Sequence, residues 1–126
     1  MTLILDTGAF IAVERYDREV ITLIKGELIE GRSPVTHGGI IAQIWRGGTG
    51  RQARVAQLLK GVEIRPLDDA LGRKAGMLLG RSGGRDAVDA SLVSLACEGD
   101  DFLTSDIEDL TILAQATGIH IEIWPV

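Results

Sequence analysis

Short apolar runs and helix-period segments alternate along this chain from one end to the other. Residues 2–5 form an apolar run without strict polar alternation, ending at Asp6, which is the pattern of a buried central strand. Residues 9–13, opened by Gly8, are expected to form a short helix. Residues 19–30 place Val20, Leu23, Ile24, Leu28 and Ile29 at helical spacing, and Gly31 ends the segment. A short strand follows at residues 34–36. The next helix spans 37–46, with Ile40, Ile41, Ile44 and Trp45 facing inwards, and Gly47, Gly48 and Gly50 break it. Residues 51–60 read as helix and 62–64 as strand. Residues 69–81 are again helical, with Leu71, Ala75, Leu78 and Leu79 as the inner stripe. After a Ser-Gly-Gly break, residues 87–97 form a helix and 102–104 a strand. Ser105 and Glu108 have capping-box spacing, which predicts Ser105 as the N-cap of a helix stopped by Gly118. Residues 120–124 are the last strand.

This alternation predicts a single α/β domain over residues 1–126, a parallel sheet covered by helices on both faces. Aromatic residues make up only 4% of the chain, so Leu, Ile, Val and Ala must fill the core. Cys97, the lone cysteine, is expected to be a small buried hydrophobe, and its solitude excludes a disulfide framework. There is no basic leader and no apolar stretch of membrane-spanning length, so the expected compartment is a reducing cytoplasm, without a membrane.

The net charge of −5 is unevenly spread. All 13 basic residues lie in residues 1–85, against nine acidic ones, whereas residues 86–126 hold nine acidic residues and no Lys or Arg. Basic side chains suit a nucleic-acid backbone, and surplus carboxylates suit a hard metal ion. The overall acidity argues against a general, tight DNA-binding protein.

Ligands of open α/β folds gather beyond the carboxyl ends of the strands. Asp6 and Asp106 each lie just past a predicted strand, on the same edge of the sheet. Asp89 shares a helix face with Leu92, Val93 and Ala96, where a carboxylate is costly unless it is paired or metal-bound. No cation follows Arg85 to pair with it locally. Mg²⁺ or Mn²⁺ would relieve three converging carboxylates, orient a water and stabilise charge on a phosphoryl group. Asp86 is placed either to cap its helix or to contact a metal or its water, and Asp109 to hold a second metal's water. The tetrapeptide at 6–9 matches the short signature of aspartic proteases, but those are β-rich and need two such loops. Gly47, Gly48 and Gly50 lack the Lys-Ser/Thr of a phosphate loop. His37 caps or flanks a helix.

Four segments in this order resemble the PIN-domain ribonucleases, in particular the VapC toxins of toxin–antitoxin pairs. They are LILDTGAF (3–10), IIAQIWR (40–46), DAVDASLVSLA (86–96) and LTSDIEDL (103–110). The resemblance implies an α/β/α sandwich with a five-stranded parallel sheet of order 3-2-1-4-5. It implies a Mg²⁺- or Mn²⁺-dependent endoribonuclease with Asp6, Asp89 and Asp106 as catalytic metal ligands. It also implies an RNA substrate, a cognate antitoxin and a homodimer, expected through the helices at 19–30 and 51–81. Thr104 and Ser105 would steady the ligands or hold a metal-bound water, Thr7 would lie behind the ligands or against substrate, and Arg46, Arg51 and Arg54 would contact phosphate. Gln43 stands where the family carries glutamate. An amide keeps the shape but not the charge, which leaves a second expectation open, a degenerate module that binds metal, RNA or a partner peptide without efficient cleavage.

Overall fold

Leu3, Ile4 and Leu5 are all buried, as the unbroken apolar run demands of a strand covered on both faces. In the computed structural model, which describes residues 1–126, they form β1 (Leu3–Leu5) at the centre of the sheet. The chain continues through α1 (Thr7–Glu14), α2 (Arg18–Ile29), β2 (Val35–His37) and α3 (Gly38–Ile44). A single 3₁₀ turn (Gly50–Gln52) leads into α4 (Ala53–Leu59) and β3 (Glu63–Arg65). Then come α5 (Asp69–Ser82), α6 (Ala87–Val93), β4 (Asp101–Thr104), α7 (Ile107–Thr117) and β5 (Glu122–Pro125). The five strands are parallel in the order β3-β2-β1-β4-β5, as the sequence resemblance implied. One helical layer is organised around α1, which packs on α2, α3 and α4. The other consists of α5, α6 and α7 packed on one another. No helix is long and apolar enough to cross a membrane.

The core joins both layers to the sheet, with Phe10, Ile24 and Ile40 from the first, Leu78, Leu92 and Leu110 from the second, and Phe102 from β4. Several local expectations are corrected. α3 stops at Ile44, and Trp45 leaves it in extended backbone with its ring folded over Gly48, so it lies largely at the surface instead of facing the core. α6 stops at Val93, four residues early, and the turn that follows carries Cys97 into solvent. The N-cap of α7 is Asp106 rather than Ser105. Asp100, just before β4, is buried and accepts hydrogen bonds from the backbone N–H groups of Thr2 and Cys97 at 2.9 and 2.8 Å. On α2, Val20 and Ile24 face the core as their spacing requires, while Leu23, Leu28 and Ile29 remain exposed.

Candidate active site

The crossing between β1 and β4 is where the strand order reverses, because β1 leads towards β2 and β4 towards β5. Both strands end in acids on the same edge. Asp6 follows β1, is only 4% exposed, and caps α1 by accepting from the Ala9 N–H at 3.3 Å. Thr104, the last residue of β4, is fully buried. Its Oγ1 donates to Asp6 Oδ2 and accepts from the Asp106 N–H at 2.9 Å. One hydroxyl therefore spans the two strand ends and fixes the carboxylate of one acid and the backbone of the other. Burial pushes the Asp6 carboxyl above the ordinary carboxylate range. The hydrogen bonds from Thr104, Ala9 and Gly8 oppose that rise, and the charge of Asp106 adds to it.

Gly8 completes the junction. A Cβ at this position would lie 2.9 Å from the backbone N of Ser105, with the Ser105 hydroxyl closer still. The exposed Ser105 side chain can turn away, but its backbone cannot. Gly8→Ala is expected to destabilise the fold by about 1–3 kcal/mol, the usual cost of overpacking. Thermal denaturation checks this, and an unchanged melting temperature would mean that the α1–β4 junction yields freely.

Asp89 approaches from α6. Its neighbours on the stripe, Leu92, Val93 and Ala96, are buried, and Asp89 itself is half-buried. Burial pushes its carboxyl up to about 7, assisted in decreasing order by the charges of Asp86, Asp6, Asp106 and Asp109. Asp109 is also raised, chiefly by the adjacent Asp106, whose carboxylate lies within hydrogen-bonding reach of it. Asp86 is the N-cap of α6, its Oδ1 accepting from the Val88 and Asp89 N–H groups at 2.9 and 3.0 Å. None of the five acids makes an ion pair. The structure thus brings Asp6, Asp86, Asp106 and Asp109 within electrostatic reach of Asp89. It does not draw any three acidic, His or Cys side chains together closely enough to hold a metal ion.

The other candidates lie around this cluster. Gln43, exposed on α3, accepts through Oε1 from the Thr7 hydroxyl, next to Asp6. Arg46 folds back on its own helix end, its Nη1 donating to the carbonyls of Ala42 and Trp45. Arg51 is exposed with Glu14 at 3.9 Å. Arg54 donates to the Glu14 carbonyl and stacks 4.5 Å above the Tyr16 ring. His37, expected to cap or flank a helix, is buried and is the N-cap of α3, whereas Gln52 is a buried polar residue that pattern reading did not value. Gln52 accepts from the Arg46 N–H at 2.6 Å and donates to the Ile44 carbonyl, which closes the glycine-rich loop after α3. Local spacing carries no signal for such a clamp.

No protein-family model matches the chain, and no curated protein matches it in sequence. Among solved structures, a chain in the crystal structure of VapBC2 from Rickettsia felis bound to a DNA fragment from their promoter superimposes on it with a TM-score of 0.70. The two are 12% identical, and the match covers 98% of this chain and 99% of that one. At that identity the likeness is one of fold. The chain accordingly has an α/β/α fold of PIN-like topology, with acids beyond the carboxyl ends of its central strands.

Proposed function

We propose that this chain is a PIN-like module that takes a divalent cation, Mg²⁺ or Mn²⁺, together with RNA at its acidic edge, and does so without efficient cleavage. The observation that carries this reading is the combination of an uncompensated cluster and an unassembled cage. Five carboxylates repel one another with no cation among them, yet no three are gathered for direct ligation. An all-oxygen donor set of this kind suits Mg²⁺ or Mn²⁺. Mg²⁺ in particular is commonly held by one or two carboxylates, waters and substrate phosphates rather than by an all-protein cage. Asp6, Asp89 and Asp106 are the residues that would hold the ion, one or two of them directly and the rest, like Asp109, through water, with Asp86 retained as a cap. Once bound, the ion supplies a Lewis acid for phosphodiester hydrolysis. The chain itself contributes a fixed Asp6, oriented by Thr104, and a carboxyl at Asp89 that titrates near 7 in the metal-free protein. At position 43 a neutral amide already engaged by Thr7 adds no charge to the site.

A second reading, an efficient endoribonuclease toxin held as a homodimer by its own chain and silenced by a cognate antitoxin, is favoured by the fold likeness to a chain of a VapBC2 complex. The exposed Leu23, Leu28 and Ile29 on α2 provide apolar surface for such partners. Purified, partner-free protein incubated with total RNA and Mn²⁺, with EDTA and Asp6→Asn controls, separates the readings. The expected result is Mn²⁺ binding by calorimetry that is lost in Asp6→Asn, with slow cleavage. Rapid, EDTA-sensitive cleavage would establish the toxin reading, and absence of Mn²⁺ binding would overturn both.

A further inference from the structure

His37 ends β2 with no solvent exposure, and its ring has two partners. Nδ1 accepts from the Gly39 N–H at 2.9 Å, which caps α3, and Nε2 lies 3.0 Å from the Val88 carbonyl in the first turn of α6. One neutral tautomer satisfies both, with the proton on Nε2 donated to Val88 and Nδ1 left as acceptor. Burial keeps the ring in that neutral form, since it lowers the imidazole's affinity for a proton.

The bond to Val88 has no counterpart. Every other hydrogen bond of residues 87–93 stays within α6 or runs to its own cap and C-terminal turn. α6 is only seven residues long, and apolar burial is non-directional, so it does not by itself choose the helix's rotation as a hydrogen bond does. The residue after Val88 is Asp89, whose carboxylate is shaped only by burial and by neighbouring charges and takes no hydrogen bond of its own. The pose of α6 therefore decides where that carboxylate sits. The same imidazole holds the start of α3, the helix that carries Gln43.

We propose that His37 is a positioning residue, a buried strut from β2 that fixes the first turn of α6 and so sets Asp89 against Asp6 and Asp106. The part of this inference that concerns the ion rests on the divalent-cation reading above. The strut itself does not.

Two substitutions separate the ring's two bonds. In His37→Asn the side-chain oxygen can replace Nδ1 as the cap of α3 but is too short to reach Val88. In His37→Gln the longer amide can donate to Val88 as Nε2 does. Amide hydrogen exchange of residues 90–93 reads the strut directly, with α7 amides as the internal reference for global stability. We expect His37→Asn to speed exchange in α6 about tenfold relative to α7 and to weaken Mn²⁺ binding by a similar factor, and His37→Gln to restore both to within about threefold. Unchanged α6 exchange in a folded His37→Asn would overturn the strut. Faster exchange with unchanged Mn²⁺ affinity would overturn its role in placing Asp89. Absence of Mn²⁺ binding in the wild type would overturn the cation reading instead, and the exchange data would still decide the strut.

Discussion

Asp89→Asn is expected to stabilise the metal-free protein by about 2 kcal/mol at pH 8, and by little at pH 5. Ionising a carboxyl that titrates near 7 in the fold, against an ordinary value of 3.8, costs about 4 kcal/mol in full, and roughly half survives solvent screening at a half-buried position. The sign follows from proton linkage. Between about pH 4 and pH 7 the folded state binds the Asp89 proton and the unfolded state has lost it, so stability falls as pH rises through that window. Asp6, raised by its burial, acts in the same direction. His37 acts oppositely. Its folded-state affinity for a proton is lowered, so its contribution is complete above about pH 6.5 and is lost as pH falls through the folded value. The wild type should therefore show a shallow pH profile in which these slopes offset, while Asp89→Asn should gain stability from pH 5 to pH 7. For a domain of this size the pH 8 gain corresponds to roughly 6–10 °C in melting temperature. An equal gain at both pH values would mean that the strain at Asp89 is not electrostatic.

Gln43→Glu is expected to tighten Mn²⁺ binding about tenfold, equivalent to about 1.4 kcal/mol, and to raise RNA cleavage at low metal concentration. The Thr7 hydroxyl that now donates to the Gln43 amide oxygen can donate equally well to a carboxylate. The substitution thus adds charge beside Asp6 without removing a contact. The new charge also repels the existing acids, so the metal-free variant should be less stable than the wild type at pH 8 and recover with Mn²⁺. Calorimetry and a cleavage titration read the two effects. If the variant folds and its Mn²⁺ affinity equals that of the wild type, position 43 does not face the ion.

Features set by local patterning were legible in the sequence. The apolar run at 2–5 names the central strand, observed at Leu3–Leu5, the stripe of Ala75 and Leu78 names the buried face of α5, and Gly118 closes α7 in the left-handed conformation. The sheet order came from resemblance, because periodicity ranks no strands. The misplaced details are those decided at helix ends. Trp45 and Cys97 follow from extending a helical period one or more residues too far, and Ser105 from a capping-box spacing, whereas the geometry of a terminus depends on the turn beside it. At the site, residue types and the edge they occupy could be read from strand ends and an anomalous carboxylate. Whether three carboxylates gather is settled by shifts far smaller than any sequence pattern encodes, and the contacts that govern those shifts are distant in sequence. His37 meets Val88 across 51 residues, and Thr104 meets Asp6 across 98.

That last separation has a consequence for biosynthesis. β1 pairs with β4 in the register Leu3 with Asp101, Ile4 with Phe102 and Leu5 with Leu103, so the two central strands come from opposite ends of the chain. Asp6 is synthesised 98 residues before Thr104 and must wait for it before its carboxylate acquires its partner. At typical elongation rates that interval is on the order of 5–20 s. During it the nascent polypeptide lacks the hydrogen bond that joins its two central strand ends, and Asp6 stays a solvated carboxylate.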